Sequence, residues 1–322
     1  MSYTCLSHKG DLDGLVSGAF AKLAFGAEVV LVGYAELEPQ LRKFDGERLI
    51  IADLGLYGPR FKTYLSLLPE RRFIYLDHHS LPSYAKRALA ERGGEVVHST
   101  RDCTSVLFYH RYRDRLPPQA GRLAAIAALS DYMEAGPLAR RLIEGMERFT
   151  LFLEASLYTL AILALEKKTK RLMQIVDALA GLRPAHELSD VVEEALSFAH
   201  RIDELRSRLL QESKAYRRLL VVRGDGNNTG LLASLALELG TRPIAAAVRR
   251  SGDEAKLSLR AKRLPGLHLG RLVAKLAGEL EGDGGGHALA AGARVKWTAL
   301  ETFLKKLDEE LMPYAAPGQE RG

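Results

Sequence analysis

Residues 7–15 read SHKGDLDGL and follow the apolar run Tyr3–Leu6 directly. If that run is a strand, His8, Asp11 and Asp13 gather where it ends. Ligands of an open parallel sheet bind beyond the carboxyl ends of its strands. Gly10 and Gly14 would let the backbone turn tightly between these side chains.

The stretches downstream repeat the arrangement. Residues 28–33, 48–53, 72–77 and 94–99 are short apolar runs, and the amphipathic segments 14–25, 58–69 and 82–91 lie among them. Strands alternating with helical patterns predict a parallel sheet with helices on its faces, an α/β fold. The run at 48–52 ends in Asp53, and the run at 72–76 ends in Asp77–His78–His79. Asp131 interrupts an otherwise apolar helical stretch.

From about 103 to 216 the pattern is helical, broken at Pro117–Pro118, Gly136–Pro137 and 181–186, with a long charged helix expected over 187–216. A strand, turn and helix are expected over 218–230 and beyond. A hairpin follows over 243–250 and 255–262, then a helix over 268–281, a glycine run, a strand near 289–296 and a helix over 298–311. The tail 313–322 has no periodicity and is expected to be flexible.

Bulk composition narrows the classes. The 322 residues are 47% hydrophobic and 27% charged, so the chain is expected to be globular. The net charge of +6 favours anionic partners such as nucleic acid or nucleotides. Two cysteines, Cys5 and Cys103, form no C-x-x-C pair, which argues against a zinc ribbon or a disulfide framework. No signal-peptide pattern opens the chain, and the apolar stretch 149–165 contains Glu154 and reads as a buried core helix. The expectation is a cytoplasmic protein without a membrane contact.

Each acidic feature has an ordinary structural explanation when taken singly. A D-x-D-G stretch is often a capped turn, and an Asp after a strand is often a helix N-cap. Together, the acids would repel one another and raise their own pKa values unless cations sat among them. Mixed Asp and His donors suit Mn²⁺ or Co²⁺ better than Mg²⁺. A pair of such ions can activate water and clamp a phosphoryl group.

The order H-x2-D-x-D-G, D, D-H-H, D resembles the DHH phosphoesterase superfamily, which includes RecJ exonucleases, nanoRNases, cyclic dinucleotide phosphodiesterases and a class of pyrophosphatases. The stretch GDGGGHALAAGARV (282–295) looks like the GGGH signature of the DHH-associated C-terminal domain, and AKLSLRAK (255–262) matches its S-x-R strand. The resemblance implies a DHH catalytic core over 1–135, a helical extension and connecting helix over 136–217 and a DHH-associated domain over 218–312, with the active site in the interdomain cleft. His8 and Asp11 would hold one metal, Asp13, His78 and Asp131 a second, and Asp53 would bridge them. Asp77 would orient His78, and His79 would face the substrate phosphate. Arg260, the glycine-rich loop Gly284, Gly285 and Gly286, and His287 would bind substrate.

The GGGH stretch argues against the pyrophosphatase branch. The resemblance thus implies a two-metal enzyme, Mn²⁺ foremost with Mg²⁺ or Co²⁺ as substitutes, that cleaves short single-stranded RNA or DNA to nucleoside monophosphates. Three other roles fit the same resemblance: a cyclic or linear dinucleotide phosphodiesterase, a 3′-phosphoadenosine phosphate phosphatase, or a RecJ-like accessory subunit of a replication or repair complex. A homodimer and a replication or repair partner are compatible with it.

Overall fold

The structure is a computed structural model that describes residues 2–58, 60–165, 168–209, 211–224 and 229–314. The chain divides into two compact units, Met1–Ala199 and His200–Gly322. The centre of the expected turn, residues 225–228, and residues 315–322 of the tail lie outside the described residues.

The N-terminal unit begins with β1 (Tyr3–His8), α1 (Leu12–Phe25), β2 (Glu28–Val32), α2 (Tyr34–Lys43), β3 (Arg48–Ala52), α3 (Phe61–Leu67), β4 (Phe73–Asp77), α4 (Ser83–Glu91) and β5 (Glu95–His98). The helices α5 (Thr104–Tyr112), α6 (Ala120–Ser130), α7 (Pro137–Ile143), α8 (Arg148–Leu165), α9 (Thr169–Ala180) and α10 (Ser189–Leu209) follow; the division into units falls within α10.

All pairings of the first sheet are parallel, in the order β2-β1-β3-β4-β5. Strand alternation sorts its apolar residues onto two faces. Leu6, Leu49, Ile51, Phe73 and Tyr75 pack with α2, α3 and α4. Cys5, Ile50, Ala52, Ile74 and Leu76 pack with α1, α5 and the helices after it. Both faces are covered, which is why the strands read as continuous apolar runs. The strand order reverses beside β1: β2 lies on one side, β3 on the other. That makes the carboxyl ends of β1 and β3 the switch point at which such sheets bind ligands.

Helix α8 is long and apolar enough to cross a membrane, but it buries one face in the core through Leu151, Ala155, Tyr158, Ala161, Ile162 and Leu165. Its buried Glu154 is paired with Arg122. Phe149, Phe152 and Leu153 are exposed, so the expected core helix is enclosed on one face only.

The C-terminal unit contains β6 (Lys214–Ala215), β7 (Leu219–Arg223), α11 (Thr229–Leu239), β8 (Ile244–Ser251), β9 (Glu254–Ala261), α12 (Leu269–Glu279), β10 (Asp283–Gly286), β11 (Ala290–Lys296) and α13 (Leu300–Glu310). Its sheet has the order β10-β11-β9-β8-β7-β6 and is mixed, with β7 and β8 parallel and the other pairs antiparallel. Helices α12 and α13 cover one face, and α11 packs on Leu220, Val222, Ala245 and Ala247 of the other.

The expected glycine-rich loop 284–286 is not a loop. It is edge strand β10, with Gly284 opposite Ala293 and Gly285 opposite Gly292. The glycines are there for close packing. A Cβ on Gly270 of α12 would come within 2.2 Å of the Gly286 carbonyl oxygen, and Gly286 itself has φ 137.

Candidate metal centre

Asp11 is the N-cap of α1, accepting from the Gly14 N–H at 3.0 Å through Oδ1. Its Oδ2 lies 3.0 Å from His8 Nδ1. Gly14 permits this fold-back, because a Cβ there would meet the His8 carbonyl oxygen at 2.1 Å. Asp13 is therefore not in a loop, as the sequence suggested, but in the first turn of α1.

Asp53 stands at the end of β3 with a left-handed φ of 59, and it is 1% exposed. Asp tolerates that conformation better than most residues, and held backbone strain of this kind clusters at functional sites. Asp53 Oδ2 is 3.5 Å from His8 Nδ1, and its Oδ1 is 3.3 Å from His78 Nε2. The Thr104 hydroxyl donates to Asp53 Oδ1 at 3.1 Å. On the far side of His78, Nδ1 lies 3.4 Å from Asp131 Oδ2 and 3.0 Å from Met133 Sδ.

These contacts define three groups whose potential ligand atoms lie within 4.8 Å of one another: His8, Asp11 and Asp53; Asp13, His78 and Asp131; and Asp53, His78 and His79. The carboxylate of Asp53 and the imidazole of His78 are shared between groups. All six residues expected to hold metal come together at the switch point.

Asp77 departs from its expected role. Its Oδ1 is 2.8 Å from Nδ1 of His79, not of His78. Side chains two apart share a side of an extended segment, and neighbours point apart. Asp77 Oδ2 accepts from the Tyr75 hydroxyl at 2.7 Å, which in turn accepts the Leu56 N–H at 3.2 Å. His98 Nε2 holds the His79 carbonyl at 2.7 Å. The other ring nitrogen of His79 is 3.4 Å from the Tyr34 hydroxyl, and the Tyr34 ring also lies beside His8. Asp77→Ala should thus act through the orientation of His79. Bound metal should be unchanged in that variant; loss of bound metal would place Asp77 among the ligands.

Sequence reasoning missed the partners of Asp13. Its two oxygens accept the Thr104 and Ser105 backbone N–H groups, each at 2.8 Å, at the start of α5. Thr104, Ser105, Tyr34 and Tyr75 carry no motif of their own. The one available signal was the helix start that follows Asp102–Cys103. Asp13→Ala leaves two buried N–H groups without acceptors, at roughly 1–3 kcal/mol each. A thermal melt should drop by about 5 °C or more, with Asp13→Asn falling between. An unchanged melt for the Ala variant would show that this anchor contributes nothing.

The electrostatics are those of a site built for cations. Burial resists charge on His78, but Asp53, Asp131 and Asp13 outweigh it and push its pKa up to about 11. Burial likewise opposes charge on His8, and Asp11 and Asp53 prevail to raise it. Burial and the Asp53 charge raise Asp13 to about 6. Burial raises Asp131 as well; His78 counteracts this, while Asp13, Asp11 and Asp53 add to it. Its buried Oδ2 makes no hydrogen bond among the described residues, only the 3.4 Å approach to His78 Nδ1, and a cation would satisfy it. The donor set therefore fits divalent metal.

Metal binding requires bare imidazoles and carboxylates. The raised groups hold protons that metal must displace, so Mn²⁺ affinity should rise with pH, below about 6 through Asp13 and on toward about 11 through His78. Calorimetry in buffers of different protonation enthalpy should show proton release, and none would contradict this charge assignment.

In the C-terminal unit, Arg260 lies on β9 between Ala245 and Ala290, its Nη1 donating to the Leu259 carbonyl at 3.0 Å. His287 follows β10; its N–H donates to the Ala290 carbonyl at 2.7 Å, and its carbonyl accepts from Gly270 at 2.9 Å.

Comparison with known proteins agrees with this architecture. The DHHA1 domain family matches residues 216–312. RecJ from Thermus thermophilus, solved with Mn²⁺, superposes over 98% of this chain and 53% of its own, with TM-score 0.67 and 19% identity. The pGpG-specific phosphodiesterase PggH from Vibrio cholerae superposes over 97% of this chain and 100% of its own, with TM-score 0.56 and 15% identity. The DHH domain of a member of the s1p family of ribosomal proteins gives TM-score 0.73 at 16% identity, over 98% of this chain and 87% of its own. No curated protein matches the chain in sequence. The chain spans about half the length of the RecJ relative.

The fold is thus the RecJ-like two-domain fold, a parallel-sheet α/β unit followed by a mixed-sheet unit. The DHHA1 domain family accounts for residues 216–312, and the N-terminal unit shares its fold with the corresponding part of the RecJ structure.

Proposed function

We propose that this protein is a metal-dependent phosphoesterase that hydrolyses short single-stranded oligonucleotides to nucleoside monophosphates. The observation that carries the reading is the pair of donor sets, His8–Asp11–Asp53 and Asp13–His78–Asp131, meeting at the switch point of the sheet. Two divalent cations there, Mn²⁺ foremost, would supply charge neutralisation for a phosphate and an activated water.

The chain's own residues do the rest. Asp53 faces both donor sets. Asp77, fixed by Tyr75, holds His79; burial opposes charge on that ring, and Asp77 overcomes it and raises its pKa. His79 so held is a donor to a phosphate oxygen. Arg260 supplies a planar fork and His287 a further donor for the end of the substrate. As an edge strand, β10 pairs through the sheet on one side only, which suits its backbone to phosphate contact. The compartment that fits such an enzyme is the cytoplasm.

A second reading, hydrolysis of a linear dinucleotide, is favoured by the likeness to PggH over that protein's whole length. A panel of 5′- and 3′-labelled RNA and DNA, from two to thirty residues long, with and without Mn²⁺, separates the two. Oligomers degraded stepwise with Mn²⁺ fit the first reading, and cleavage confined to the two-residue substrate fits the second. Full activity without divalent metal would overturn both.

A further inference from the structure

The sheet of the N-terminal unit has a second pole. The amino ends of its strands open on a cleft of about 440 Å³, lined by residues from β1, β3, β4 and α5. Its charge is the opposite of the metal centre's. Five arginines line it: Arg48 at the start of β3, Arg71 and Arg72 before β4, Arg111 on α5 and Arg115 just beyond. The acids in the lining are Glu95 and Asp114. Glu95 is taken by Arg111 at 2.6 Å, and Asp114 lies 3.8 Å from Arg113. Among the described residues, Arg48, Arg71, Arg72 and Arg115 make no ion pair with any carboxylate.

Two of these four are stacked on aromatic rings, Arg48 at 5.8 Å from the Tyr3 centroid and Arg115 at 4.9 Å from that of Phe25. A guanidinium held on a ring keeps its fork pre-oriented. Arg71 has a left-handed φ of 54. Its stem runs where Gly93 has no side chain, since a Cβ there would meet Arg71 Cγ at 2.5 Å. Like charges converging on one concavity repel, and such local conflicts mark functional places.

We propose that this cleft binds a compact polyphosphate anion, the di- or triphosphate group found free or on a nucleoside. Arginine forks match phosphate oxygens in pairs. Several unpaired cations around one cavity match several charges on one small ligand, and the volume is in the range of small-ligand sites. The proposal stands apart from the hydrolytic reading, because the binding can be measured without divalent metal. Under those conditions the acids of the metal centre repel phosphate.

The test is calorimetry of the full chain in chelator, with pyrophosphate, tripolyphosphate, a nucleoside 5′-triphosphate and a twelve-residue single-stranded oligonucleotide as probes. One compact anion should bind per chain. The double variant Arg72→Ala/Arg115→Ala, at two exposed positions, should bind it at least about tenfold more weakly, and Arg115→Lys should fall between. Equal affinity for both triphosphates supports recognition of the phosphate chain alone. Tighter binding of the nucleoside form supports the nucleoside-borne ligand. No binding, unchanged affinity in the double variant, or tightest binding of the oligonucleotide would overturn the proposal.

Discussion

Asp53→Ala should abolish hydrolysis, lowering kcat/KM about a thousandfold or more. That is the scale of the several kcal/mol that metal ions supply to transition-state charge. The reason is positional. Among the described residues, Asp53 is the one carboxylate whose oxygens face His8 on one side and His78 on the other. Its burial opposes its charge, but His78 and His8 hold its pKa well below the usual carboxylate range, so it stays ionised. Removing it leaves the buried His78 and the half-buried His8 without their shared partner. Both ions should be lost from the variant, measured as bound Mn²⁺ after gel filtration. Two tightly held ions in Asp53→Ala would show that this residue does not join the donor sets.

Arg260→Ala should give the second largest loss, and a different kind. Metal content should stay at the wild-type value, because Arg260 belongs to the C-terminal unit. A charge-assisted hydrogen bond is worth roughly 1.5–3 kcal/mol, so kcat/KM on a dinucleotide should fall about 10–150-fold. On a twelve-mer the loss should be smaller, since further phosphate contacts to a basic protein carry part of the binding, most of all at low salt. His287→Ala should follow the same pattern. Equal losses on both lengths, or loss of metal, would remove these residues from the substrate grip.

The N-terminal strands and the placement of the ligands were legible because two simple rules coincide there. Buried parallel strands read as apolar runs, and His8, Asp53 and Asp77–His79 sit where those runs stop. The order of strands around the switch point was not legible, since pairing is a tertiary choice. Residue-by-residue geometry was the harder part. Asp77 was assigned to His78, but strand alternation gives it to His79. The glycine run was expected as a loop because glycine marks turns; pairing with Ala291–Arg294 and the approach of α12 made it a strand. Thr104, Ser105, Tyr34 and Tyr75 stayed hidden because a backbone N–H or a lone hydroxyl leaves no pattern. The arginine cleft was hidden too, for its arginines come from three separate stretches, at 48, 71–72 and 111–115.

The most direct test is electron paramagnetic resonance of the full chain loaded with Mn²⁺, read together with the number of ions bound. Two ions per chain with the signal of a spin-coupled pair, converted by Asp53→Ala to loss of that signal, is the predicted result. A single ion, or two uncoupled ions whose signal survives the substitution, would contradict a shared centre built around Asp53.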